Sequence, residues 1–153
     1  MIVKTILDEN FSNYKKPSML IAMPRCTMKC GEELCQNSPW LHTSDVEIDD
    51  YEIIKRYLNN HLTKAIVFSG LDPMDTSIQL LMFIDKFRKY CDDDVVIYTG
   101  YNKEEILNKI EPLLEYPNII VKFGRYIPNQ KPHFEELLGV NLASDNQYAE
   151  KIS

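Results

Sequence analysis

The sequence has no run long and apolar enough to cross a bilayer. Its start, Met1-Ile2-Val3-Lys4-Thr5, lacks the basic, apolar and small-residue succession of a signal peptide. A cytoplasmic protein is expected. Basic clusters are missing too: the net charge is −6, Lys and Arg are scattered, and there is no footprint for nucleic acid. With no internal repeat, low-complexity tract or interdomain linker, the 153 residues are expected to form one domain, 1–153, around one core. Cysteine is scarce, four residues in all, and no CxxC pair occurs. Structural disulfides are not expected in a reducing cytoplasm. Three of the four, Cys26, Cys30 and Cys35, lie within ten residues of each other, and Cys91 is distant. A tight group of three points to a metal or cluster site rather than a disulfide framework.

What is present is an alternation of strand-length apolar runs with segments of helical period. Ser18–Met23 reads as a strand stopped by Pro24, and Ala65–Ser69, Val95–Thr99 and Ile119–Phe123 read as strands ended by Gly70, Gly100 and Gly124. Ser44 with Glu47 resembles a capping box for a helix whose inner face carries Tyr51, Ile54 and Leu58. Asp75 and Thr76 can cap a second helix with Leu80, Ile84 and Phe87 inward. Asn102 with Glu105 can cap a third carrying Ile106, Ile110 and Leu113. Asp92-Asp93-Asp94 reads as a solvated turn, and the last thirty residues, broken by Pro128, Pro132 and Gly139, read as irregular. Alternating strands and helices predict an α/β fold with a mainly parallel sheet of βα units.

The polar motifs then fall at one place. The cysteine segment follows the first strand, Ser69-Gly70-Leu71-Asp72-Pro73 the second, Thr99-Gly100-Tyr101 the third and Gly124-Arg125 the fourth. Parallel α/β sheets bind ligands beyond the carboxyl ends of their strands, so all four breaks are expected to converge on one edge. Cys91 precedes a strand and is expected at the opposite edge, as a small buried or helix-end thiol.

The cysteine spacings are three residues and then four, with Gly31 between Cys30 and Cys35 offering backbone angles that other residues resist. Such a loop can wrap one compact cluster. A four-iron cluster commonly takes four cysteines, and three leave one iron for a non-protein ligand. Zinc is the standing alternative, with His42 available to complete a Cys3His set, although structural zinc usually takes CxxC pairs.

The loop, followed by Gln36-Asn37 and Trp40, resembles that of the anaerobic ribonucleoside-triphosphate reductase activating proteins of the radical SAM superfamily. Ser69–Pro73 is similar to that family's Ser-Gly-Gly-Asp/Glu-Pro segment, Tyr98–Tyr101 to its Thr-Gly-Tyr segment, Gly124–Tyr126 to its later Gly-Lys/Pro-Phe segment and Ser144–Gln147 to its terminal Ser-Ser-Asn-Gln. These matches keep their order over almost the whole chain. The resemblance implies a partial, open radical-SAM-type barrel with a cluster-binding loop over 24–40. It implies that Cys26, Cys30 and Cys35 hold a [4Fe–4S] cluster, with S-adenosylmethionine on the fourth iron. Ser69, Gly70, Leu71 and Asp72 would hold its methionine part, and Thr99 and Gly100 would lie near its ribose. Reductive cleavage would give a 5′-deoxyadenosyl radical that takes a hydrogen from a glycine of an anaerobic ribonucleotide reductase, with an electron donor such as a flavodoxin. The enzyme would be a radical SAM oxidoreductase. Other readings are a small radical SAM protein acting on another peptide or metabolite, and a non-catalytic iron–sulfur or zinc module. Four features depart from the family pattern. Four residues rather than two separate Cys30 from Cys35, so the loop must bulge there. Leu34 stands before the third cysteine where relatives often carry an aromatic or small residue, and Phe123 stands where relatives often carry Asp before Gly124. Leu71 replaces a glycine, which carries a steric cost wherever φ must be positive or the methionine must approach closely.

Overall fold

The structure, a computed structural model, describes residues 1–153. Its strands are β1 (Ile2–Val3), β2 (Thr5–Asn10), β3 (Ser18–Met23), β4 (Val46–Glu47), β5 (Ala65–Gly70), β6 (Asp94–Tyr98), β7 (Ile119–Phe123), β8 (His133–Glu135), β9 (Val140–Leu142) and β10 (Tyr148–Lys151). Its α-helices are α1 (Asp50–Asn59), α2 (Ser77–Phe87) and α3 (Leu107–Ile110), joined by short 3-10 turns. Six strands form one sheet in the order β2-β3-β5-β6-β7-β10. The inner four run parallel, and β2 and β10 close the two sides antiparallel. Short two-stranded pairs, β1 with β4 and β8 with β9, flank it.

The four inner strands are buried on both faces, which is why they read as continuous apolar runs. Register sorts their side chains into two layers. Ile21, Phe68, Ile97 and Val121 form one cross-strand row and point to the side that carries all three helices. Val67, Val96 and Ile120 form the alternate row and point to the other side, which is covered by Tyr14, Leu138 and Leu142. On the helical side Phe83 packs edge-on to Phe68 at 5.6 Å and stacks beside Phe87 at 6.2 Å, and Tyr57 meets Phe87 edge-on at 5.2 Å. Full burial of each such ring stabilises the fold by about 1.5–3 kcal/mol.

Three local expectations are corrected. Helix α1 starts at Asp50, capped by Asp49, whose Oδ1 accepts from the N–H groups of Tyr51 (2.9 Å) and Glu52 (3.3 Å). Ser44 and Glu47 do not cap it, because Val46–Glu47 is drawn into pairing with Ile2–Val3. The helix buries Ile53, Ile54 and Tyr57, while Tyr51 and Leu58 are exposed. Tyr51 lies instead edge-on to Tyr90 at the surface. For α2, Leu80, Ile84 and Phe87 face inward as expected, but Thr76 makes no side-chain cap and Asp72 caps the preceding turn by accepting from the Met74 N–H (3.0 Å). The Asn102–Glu105 capping box is present, with Asn102 N–H donating to Glu105 Oε2 (2.8 Å), but it caps a 3-10 turn. The third helix shortens to Leu107–Ile110, with Ile106 before it and Leu113 in the 3-10 turn after it, and Ile106, Ile110 and Leu113 are all buried.

The acidic run is more than a solvated turn: Asp93 accepts from Tyr57 Oη (2.7 Å) and Asp94 from Tyr14 Oη (3.0 Å). Cys91 stands at the amino-terminal edge, half-buried, its Sγ accepting from Asp93 N–H at 3.4 Å. The last thirty residues are ordered as the β8–β9 hairpin and the edge strand β10. No helix is long and apolar enough to cross a membrane.

Candidate functional site

The four strand ends converge. One cavity of about 340 Å³ lies over the carboxyl edge of the sheet, and its wall includes Cys26, Cys30 and Cys35 together with Ser69, Gly70, Leu71, Asp72, Thr99 and Gly100. All nine residues expected to form the site therefore face one space. A larger groove, about 940 Å³, runs along α2 between Met1 and Met82 and carries none of the cysteines.

The cysteine loop is tied down at its start. Thr27 N–H donates to Asp75 Oδ2 (2.8 Å), Tyr101 Oη donates to Asp75 Oδ1 (2.7 Å), and the Thr27 and Tyr101 hydroxyls lie 3.2 Å apart. Residues from the loops after β5 and β6 thus hold the loop after β3. On its outer side Arg25 pairs with Asp45 (2.6 Å), which also meets Lys4 (2.8 Å). These two cations hold the Asp45 carboxyl down to about 2. The extra residues between Cys30 and Cys35 wind into a 3-10 turn, Glu32–Leu34, after Gly31 at φ 88°. A 3-10 turn rises only about 2 Å per residue. The wider spacing is thereby taken up, and Cys35 returns beside Cys30. Burial pushes the Cys26 and Cys30 thiols up, and the neighbouring Cys35 adds to the rise at Cys30. The thiols are free, and ligation would release their protons.

Asp72 is the hinge of the opposite wall. It is nearly buried, and its carboxylate accepts from Thr99 Oγ1 (2.9 and 3.1 Å), Gly100 N–H (2.9 Å) and Met74 N–H (3.0 Å). Burial pushes its carboxyl up and these donors pull it back. Asp72 therefore fixes Thr99 and Gly100 and has little acceptor capacity left for a ligand. Gly100 approaches closely: a Cβ there would sit 3.3 Å from Arg125 Cγ and 3.5 Å from Asp72 Oδ2. Leu71 carries no strain, since the positive φ falls on Gly70 (81°), where a Cβ would strike Ala22 Cβ at 2.8 Å. The part of the expected cost that a positive φ would bring at Leu71 does not arise, and its side chain is buried.

Arg125 pairs through both terminal nitrogens with Glu105 (2.9 and 3.0 Å). Trp40 is half-buried in the 3-10 turn Ser38–His42, apart from both core clusters. His42 is exposed and turned to Glu32 at 3.3 Å, away from the cavity wall. The Cys3His zinc set is thus not assembled, and no three His, Cys, Asp or Glu side chains are grouped to grip one metal ion. A four-iron cluster makes a different demand, since each thiolate bonds a separate iron. Three soft sulfur donors on the wall of one cavity fit that demand.

Several wall residues were not singled out from sequence: Asn13, Lys122, Asn141 and Leu142. Lys122 had a readable signal. It alternates with Val121 inside a β run, which places it on the same face as Ile120, at the carboxyl end. Lys122 is almost fully buried, and burial pushes its ammonium down to about 8. Gln147 explains the C-terminal motif: its Oε1 accepts from Ala143 and Ser144 N–H, and its Nε2 donates to Gly124 O (3.2 Å).

A parallel α/β sheet with a three-thiol loop and a lined cavity at its carboxyl edge defines a cluster-binding α/β domain. Comparison with protein families places it further: a 4Fe-4S single cluster domain matches residues 18–147, and the chain belongs to that family, whose cofactor is an iron–sulfur cluster. No curated protein and no solved structure matches the chain.

Proposed function

We propose that the protein is a radical S-adenosylmethionine activating enzyme that generates a glycyl radical on an anaerobic ribonucleotide reductase. The carrying observation is that the three cysteines and all six residues assigned to S-adenosylmethionine line one cavity. On this reading the open six-stranded sheet stands for the partial barrel of that superfamily. Cys26, Cys30 and Cys35 hold three irons, and a bound, reduced cluster supplies the electron that cleaves the sulfonium bond. The chain positions and shields. Asp72 clamps Thr99 and Gly100 against the ligand, and the backbone of Ser69–Leu71 offers polar groups where the strand ends. The packed row of Val67, Val96 and Ile120 keeps water from reaching the site through the sheet.

The mouth favours a protein substrate. Leu34 and Tyr126 line the cavity and are exposed at its rim, 42% and 38%. An apolar rim of this kind suits a covering partner loop better than a free metabolite. The electron donor would be a small carrier such as a flavodoxin.

The test is anaerobic reconstitution with iron and sulfide, then addition of dithionite and S-adenosylmethionine. 5′-Deoxyadenosine formed by wild type and absent from a variant with Cys26, Cys30 and Cys35 all changed to Ala is the expected result. A glycyl-radical signal on added reductase fixes the substrate. Turnover without that signal moves the substrate to another peptide or metabolite. A full cluster with no 5′-deoxyadenosine, even with reductase present, overturns the reading.

A further inference from the structure

Lys122 is the one lysine of the inner sheet strands, and its surroundings do not account for its charge. Only 6% of the residue is exposed. Its Nζ donates to Gly124 O at 2.7 Å. An ammonium has three donors, and no carboxylate lies within ion-pair distance of this one. Asp72, the nearest anionic influence, is already held by Thr99, Gly100 and Met74. Burying a cation without an anion costs several kcal/mol and pushes it towards the neutral amine, so an anion in the cavity would favour its charged form. The side chain lies on the wall of the cysteine cavity, and Cys30 is the other titratable group that bears on it.

The cavity supplies such an anion when loaded. A [4Fe–4S] core of charge 2+ on three thiolates carries −1, and reduction by one electron makes it −2. The added charge is stabilised by a cation in the low-dielectric wall and opposed by the Asp72 carboxylate. Arg25 faces outward to Asp45. The other two cations near the loop, Arg125 and Lys29, are paired or exposed. The first is locked to Glu105, and the second lies over the Tyr101 ring at 5.0 Å.

We propose that the Lys122 ammonium is the fixed counter-cation of the cysteine cavity and holds up the reduction potential of the cluster bound there. It rests on the three cysteines being the cluster ligands and does not depend on S-adenosylmethionine or on the reductase. At an effective dielectric constant of about 20, a unit charge ~10 Å away shifts a one-electron equilibrium roughly tenfold. That corresponds to ~59 mV.

The experiment compares reconstituted wild type, Lys122→Met and Lys122→Arg without S-adenosylmethionine. Each is poised over a range of potentials, and the reduced cluster is read by electron paramagnetic resonance. Unfolding in urea is measured on the cluster-free proteins. The expected result is a reduced-to-oxidised ratio about tenfold lower in Lys122→Met at a given potential, with Lys122→Arg close to wild type. Cluster-free Lys122→Met should be at least as stable as wild type, because it loses a buried charge. Cluster uptake lost in Lys122→Met but kept in Lys122→Arg, with both folded, also supports the proposal. An unchanged potential in Lys122→Met, or an equal drop in Lys122→Arg, overturns it and leaves Lys122 as a tie to Gly124. Wild type that takes up no cluster overturns it through the ligand assignment, which is a distinct result.

Discussion

The two faces of the sheet are built to different standards. The helical face gathers twenty-three buried apolar residues, among them Phe68, Phe83, Phe87 and Phe123, all fully buried. The opposite face gathers seven, and its cover is a loop around Tyr14 and the β8–β9 hairpin rather than a helix. Both faces begin with the same kind of strand, so the difference comes from what is laid on them. Where helices pack, the sheet itself is sealed. Where only a hairpin lies, the row that is apolar at Val67 and Val96 turns polar at its carboxyl end, with Ser69, Tyr98 and Lys122, and a cavity opens there. Stability is invested in one face, and the site occupies the other.

Five substitutions bear on this division. Phe83→Ala on the helical face should cost about 3–5 kcal/mol, and Leu138→Ala on the thin face nearer 2 kcal/mol. Urea midpoints of the cluster-free protein measure both, and equal losses would dissolve the distinction. Gly70→Ala should come next. Its φ of 81° and a Cβ 2.8 Å from that of Ala22 would force β3 and β5 apart, at up to about 3 kcal/mol. Its circular dichroism should remain α/β while cluster uptake falls.

Lys122→Met sharpens the comparison through pH. The folded ammonium titrates near 8, below its unfolded value of about 10.4. Between those values the unfolded chain binds more protons, so wild-type stability rises with pH from about 8 to 10.4, and below 8 the cost of the buried charge is fully present. The gain should be about 2 kcal/mol, allowing for relaxation around the amine. The rise should vanish in Lys122→Met, and a slope that survives there would assign it to other groups. The smallest effect belongs to Asp45→Asn, at the exposed outer side of the cysteine loop. The carboxyl is held at about 2, so its contribution is complete above about pH 4 and fades as pH falls towards 2. Wild type should lose protease resistance around residues 25–45 in that window, and the variant should show the same susceptibility already at pH 7.

The helical face was the legible one. Its strands are unbroken apolar runs, and Leu80, Ile84 and Phe87 recur at helical spacing, so burial and sequence pattern coincide. Helix α1 misled because Ile53 and Tyr57 are as apolar as Tyr51 and Leu58, and only packing against the sheet decides which pair turns inward. The thin face was nearly invisible. Strands β2 (Thr5–Asn10) and β10 (Tyr148–Lys151) are edges with exposed polar residues, and their pairing is a long-range event that short-range periodicity does not carry. The site was legible where its chemistry is unusual, in the clustered thiols and the glycine-ended strands. It was hidden where a functional side chain sits in an ordinary strand, as with Lys122.

The cover of the thin face has a temporal meaning. All three cysteines and all four parallel strands are contained in residues 1–123, whereas the β8–β9 hairpin, Leu138 and Gln147 come later in the chain. At about 5–20 residues per second, a ribosome needs roughly 1–5 s to add residues 124–147. The floor beneath the thiols therefore stays uncovered until the last part of the chain folds down, and closure of the site is the final step that chain order allows.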